Sequence, residues 1–168
     1  MSDTPRRPDV ALALLSPQER ARVAATGTRE VSLLVFLLGD ERYGVELHRT
    51  REILRARAPT KLPSVPAWLE GVVAVRGRVM PVVDVCKRLG LTPAPGRTEE
   101  RFIVVHVSGN EPAALRVDAV AGVARFRQEL VREARDVPFV RAIAEEAEVV
   151  RVLDVDALWK RDLHTSNE

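Results

Sequence analysis

Three aspartates each close an apolar run: Asp84 after Val82-Val83, Asp118 after Val117 and Asp154 after Val152-Leu153. Paired carboxylates can do general acid–base work. Asp84 and Asp154, however, stand in equivalent places, each ahead of a short helical segment that it is suited to cap, and the structural role is the favoured one. His48, His106 and His164 are far apart, none within four positions of another, so no metal-ligand spacing is present. Cys86 has no C-x-x-C partner, sits inside the first of the two short helices and is expected to be a buried, inert thiol. Gly77 lacks the companions of a phosphate loop or dinucleotide fingerprint, and no serine lies in a nucleophile elbow. No catalytic residue, cofactor or metal is expected.

One basic stretch bears on binding. Residues 42–61 carry six Arg or Lys against Glu46 and Glu52. Drawn out as one strand from His48 to Arg57, Arg49, Arg51, Arg55 and Arg57 would share a face and could contact phosphates, which defines an alternative function as a small-barrel nucleic-acid binder. Against it, the whole chain carries a formal charge of only +2, and just seven of 168 residues are aromatic, none interleaved with the arginines as stacking platforms. A solvated face, or a face that steers an acidic protein partner, is favoured.

These side chains need a scaffold, and composition points to sheet. The chain has 26 Val against three Ile, and Val suits a pleated surface better than a helix. At this length one domain or two small coupled ones can bury a core. The single Cys fits a reducing cytoplasm, residues 1–8 lack the apolar core of a secretory signal, and the longest apolar run, 31–38, is far short of the roughly 20 residues that cross a membrane.

Residues 1–29 read as a short helical extension, with Ser16-Pro17-Gln18-Glu19 as its capping box and Gly27 as its stop. Short strands follow: 31–38, 43–47, 48–57, 72–75 and 79–83, with a single helical turn over Pro66–Gly71 and a helix over 85–89 capped by Asp84. A Pro- and Gly-bearing linker spans about 92–100. Strands over 101–107, 113–117, 119–126, 139–144 and 148–153 and a helix capped by Asp154 then repeat the scheme.

Overlaying 31–90 on 101–160 without gaps gives ten identities, where this composition gives about five by chance. The co-alignment of turns (Gly39-Asp40 with Gly109-Asn110) and of helix caps (Asp84 with Asp154) strengthens the match. Two related β subdomains are therefore expected, one over about 30–95 and one over about 100–160, each a small barrel without exposed edges.

The run Gly71-Val72-Val73-Ala74-Val75-Arg76-Gly77-Arg78-Val79-Met80-Pro81-Val82-Val83-Asp84-Val85 resembles the CheW-like family of bacterial chemotaxis coupling proteins, which carries Gly-Val-x-Asn-x-Arg-Gly-x-x-x-Pro-Val-x-Asp. The resemblance extends through Leu38–Val45, Glu52-Ile53, Val117-Asp118 with Val120 and Val123, and Val152–Val155 with Leu158, covering about 30–160. It implies an all-β fold of two five-stranded SH3-like barrels over 30–165. It also implies a non-catalytic cytoplasmic adaptor, recruited to membrane receptor arrays, whose partners are the cytoplasmic domain of a chemoreceptor and the regulatory domain of a CheA-type histidine kinase, with no nucleic acid and no membrane insertion. Carried over by position, its receptor-binding groove would use Thr50, Glu52, Gly71, Arg76, Val120 and Val123. The chain departs from the family pattern at Ala74, where Asn is usual, at Thr50 and Ala114, and at Arg116, which interrupts an apolar strand.

Overall fold

The computed structural model describes residues 16–18, 29–93, 95–96 and 99–160. Of the N-terminal extension only 16–18 and Arg29 fall in this set, with Pro17 and Gln18 helical. The rest of that expected helix, and His164, lie outside the described residues.

Eleven strands are described. The first five are β1 (Glu30–Leu38), β2 (Glu41–Glu46), β3 (Thr50–Arg55), β4 (Leu69–Val75) and β5 (Arg78–Asp84), followed by helix α1 (Val85–Arg88). Then come β6 (Arg101–Val107), β7 (Glu111–Val117), β8 (Ala119–Arg127), the short β9 (Val131–Glu133), β10 (Val140–Glu145) and β11 (Val149–Leu153), and helix α2 (Val155–Trp159). Pro66–Gly71 is not a helical turn: Leu69 N–H closes a turn onto the Pro66 carbonyl, and β4 has begun by Leu69.

The strands form two sheets, ordered β8-β1-β2-β11-β10-β9 and β3-β6-β7-β5-β4. This corrects the expected division at the linker. Each sheet takes the opening hairpin of one repeat and the later strands of the other, so neither 30–95 nor 100–160 is a barrel by itself. The exchange is reciprocal. Val152 runs parallel to Gly44 in one sheet and Val82 parallel to Ala114 in the other, the same pairing seventy positions apart. Each sheet is then closed on itself by the chain leaving its outer strand. Thr60, beyond β3, bridges Val72 of β4; β9, beyond β8, pairs with β10.

Burial explains why residues 33–38 of β1 and 102–105 of β6 are unbroken apolar runs rather than alternating ones. Leu33 and Val35 of β1 enter one barrel core with Phe126, Ala144 and Val152, while Phe102 and Val104 of β6 enter the other with Val73, Met80 and Val82. Their neighbours Leu34, Phe36 and Leu38, and Ile103, Val105 and Val107, enter a third and larger core between the sheets. A strand covered on both faces has no polar side to show.

Candidate functional site

The three aspartates are used by the backbone. Asp84 accepts from Lys87 N–H and Asp154 from Ala157 N–H, each at 3.1 Å, as helix caps. Asp118 accepts from Gly39 N–H at 2.7 Å and so holds the β1–β2 turn. Cys86 is buried, with its thiol 3.5 Å from the Leu91 carbonyl oxygen. Among the described residues no group of three His, Cys, Asp or Glu is placed to hold a metal ion.

The basic stripe does not form as the single four-arginine face expected. Residues 47–49 form a 3-10 turn, and the pairing of β3 with β6 shifts register between Thr50 and Glu52, so Arg49 is not in line with Arg55 and Arg57. Arg49 folds inward: its Nε donates to the His106 carbonyl at 2.9 Å and its fork meets the Asp156 carboxylate. The hydrogen bonds from Arg49 hold the Asp156 carboxyl below the ordinary range. Arg51, Arg55 and Arg57 stay exposed, but the four-arginine face on which the nucleic-acid alternative rests is not formed.

The six residues expected in the groove fall into three places. Thr50 pairs across the sheet with Val105, Val120 with Phe36 and Val123 with Leu34. Cross-strand partners share a face, and all three partners belong to the core between the sheets. Thr50 and Val120 are therefore equivalent residues on the inter-sheet face of the two outer strands, β3 and β8. Ile53, the counterpart of Val123, pairs with Ile103 on that same face and is 42% exposed. It completes the set of four; the repeat itself was the signal that identifies it.

Glu52 looks the other way. It pairs with Val104, whose side chain enters the barrel core, and its carboxylate accepts from Arg76 Nε at 3.0 Å. Arg76 and Gly77 form the two-residue β4–β5 turn with φ of 50° and 79°, the left-handed pair that a tight hairpin needs. Arg is uncommon in that conformation, and this one is largely exposed, with its two terminal nitrogens unpartnered among the described residues. An exposed ion pair contributes about 0–1 kcal/mol. Stability is thus a weak reason for an arginine here. Gly71 has no surface role: it is buried, with φ of 144°, where the chain closes over Thr60.

Two charged residues do structural work that the sequence leaves open. Arg116 bonds Glu70 at 2.7 Å and Glu100 at 2.5 Å. Burial opposes its charge, but the two carboxylates outweigh burial and hold it more firmly protonated than a free guanidinium. That is why a charge is tolerated in an apolar strand. Arg88, 7% exposed, donates to the Leu158 and Lys160 carbonyls and lies over the rings of Trp68 and Phe139. It ties the first helix to the last.

Comparison with known proteins agrees with this architecture. The model of the CheW-like domain family matches residues 32–162. The chain is 30% identical over 140 residues to a probable chemotaxis protein CheW of Rhizobium etli, covering 79% of this chain and 88% of that one. It is 29% identical over 146 residues to the chemotaxis protein CheW of Rhizobium meliloti, covering 83% and 92%. Among solved structures, the scaffolding protein TtCheW of Thermoanaerobacter tengcongensis superimposes with a TM-score of 0.74 at 28% identity, covering 79% of this chain and 94% of that one.

Proposed function

The chain belongs to the CheW-like domain family, and from that premise we propose that it is a non-catalytic adaptor of chemotaxis-like signal transduction. It couples the cytoplasmic tip of methyl-accepting chemoreceptors to the regulatory domain of a CheA-type histidine kinase. Its working place is the cytoplasm, at receptor arrays; among the described residues no helix is long and apolar enough to cross a membrane.

One observation carries this reading most directly: the Arg76–Glu52 pair at the exposed β4–β5 turn. A two-residue turn holds its arginine rigidly, and a guanidinium with free planar donors suits helix-end carbonyls or a carboxylate on a helical partner. Thr50, Val120 and Val123, with Ile53, offer partly apolar surface beside the inter-sheet core for the apolar side of such a helix.

Affinity purification with a receptor cytoplasmic fragment and a CheA regulatory domain tests the proposal. Both partners are expected to bind, and Arg76→Glu is expected to weaken the receptor interaction about tenfold or more, the worth of a charge-assisted hydrogen bond, without lowering the unfolding midpoint. Unchanged receptor affinity would remove Arg76 from the site. Failure to bind either partner would overturn the adaptor role.

A further inference from the structure

The two barrels are closed unequally. In the β8–β10 barrel, β9 pairs with Ala142, Ile143 and Ala144 of β10. By their own partners on β11 and β5, these residues correspond to Gly71, Val72 and Val73 of β4. In the β3–β4 barrel only Thr60 reaches that edge, through one pair of bonds with Val72 at 2.8 and 2.9 Å. β3 and β4 stand at opposite ends of their sheet and are not bonded to each other. An open seam of about 410 Å³ separates them, lined by Glu52, Leu54 and Arg55 on one side and Ala74, Val75 and Arg76 on the other.

We propose that this seam is a strand-addition site for an extended acidic segment of a protein partner. Three features select that occupant. Two strand edges face each other, and an added strand is the partner such edges take. In the other barrel β9 pairs at the positions that correspond to Gly71–Val73, next to the seam, so strand pairing is how this edge is used there. Charge supplies the selectivity: the seam's lining holds Arg55, Arg57 and Arg76 against a single carboxylate, Glu52. The Arg55 side chain makes no hydrogen bond or ion pair among the described residues, so it is available to a carboxylate. Arg57 bonds the Ala74 carbonyl with its side chain, occupying an acceptor that a strand would otherwise use. Glu52 Oε1 is buried and has no donor, a position suited to a backbone N–H of the incoming segment. Leu54 and Val75 give small apolar side chains of that segment a floor.

The seam shares Glu52 and Arg76 with the adaptor contacts above, so its test turns on Arg55, which those contacts do not use. Fluorescence anisotropy of the full chain with a short labelled peptide alternating Glu and Val is expected to show saturable binding that falls with salt. Arg55→Gln, an exposed change, is expected to weaken it about tenfold while receptor-fragment binding is retained. Methylating alternate peptide nitrogens is expected to abolish binding, since strand addition needs those donors. No binding at low salt would overturn the proposal, as would indifference to methylation or to Arg55→Gln. Equal affinity for a single-stranded oligonucleotide would also overturn it, by showing a patch that reads only negative charge. None of these negative results touches the adaptor role.

Discussion

Trp68 and Phe139 lie on the same guanidinium: the central carbon of Arg88 stands 4.3 Å from the centre of one ring and 4.4 Å from the other. The two aromatics are repeat equivalents. Asp84 N–H donates to the Trp68 carbonyl and Asp154 N–H to the Phe139 carbonyl, each at 2.8 Å. Arg88 thus joins matching points of the two halves. Replacing it with Met removes a planar fork and leaves the Leu158 and Lys160 carbonyls short of donors. A loss of about 2–4 kcal/mol is expected in urea unfolding, with one cooperative transition, because the barrels share a core. Arg88→Lys is expected to recover little of it, since an ammonium has no flat face for the rings.

Gly71 is expected to be irreplaceable for a local reason. A Cβ built there would lie 2.0 Å from the Thr60 carbonyl oxygen, at a φ of 144° that L residues rarely adopt. Gly71→Ala should cost upward of about 2 kcal/mol. Hydrogen exchange should show faster exchange at Thr60 and Val72, the amides of the closing bridge, than in the wild type, while β6 stays protected.

Tyr43 is the only tyrosine, so phenolate absorbance reports it alone. Burial, then its hydrogen bond to Glu41, pushes its pKa up to about 12. The fold favours the neutral phenol. The stabilisation is therefore whole below the unfolded value of about 10 and is lost as pH rises towards 12. An absorbance titration of native protein should have its midpoint near 12, returning to about 10 in denaturant. Glu41→Gln should lower the native midpoint.

Exchanging the charges of Glu52 and Arg76 separates pairing from recognition. The double variant Glu52→Arg, Arg76→Glu keeps an ion pair across the 3.0 Å contact, and its unfolding midpoint should return towards wild type from that of Glu52→Arg alone. Receptor binding should stay weak, because the exposed turn now presents a carboxylate. Recovery of binding would instead give Arg76 a purely structural task.

Much of this architecture is legible in the residues, and its errors have physical causes. The repeat, the caps at Asp84 and Asp154 and the strands around Gly77 follow from local patterns that tertiary structure leaves alone. The exchange of hairpins does not, because hydrophobic periodicity says which face of a strand is buried and not which strand lies beside it. The ungapped overlay also hides an offset. Leu38 pairs with Glu41 across a two-residue turn, but Val107 pairs with Glu111 across three residues. Val35 and Val105 are therefore identical without being equivalent, one facing a barrel core and the other the core between sheets. Alternation misplaced Arg49 because a 3-10 turn and a bulge break the count of two. In the candidate site, Arg76 is marked by its Gly turn, whereas its contact with Glu52 spans 24 positions and leaves no local trace.

The reciprocal hairpin exchange has a consequence for how the molecule comes apart. Cutting the chain between its repeats would give two fragments, each holding a hairpin that completes the other's barrel, so the pieces should copurify and refold only when mixed. Each half acts as the template on which the other finishes folding.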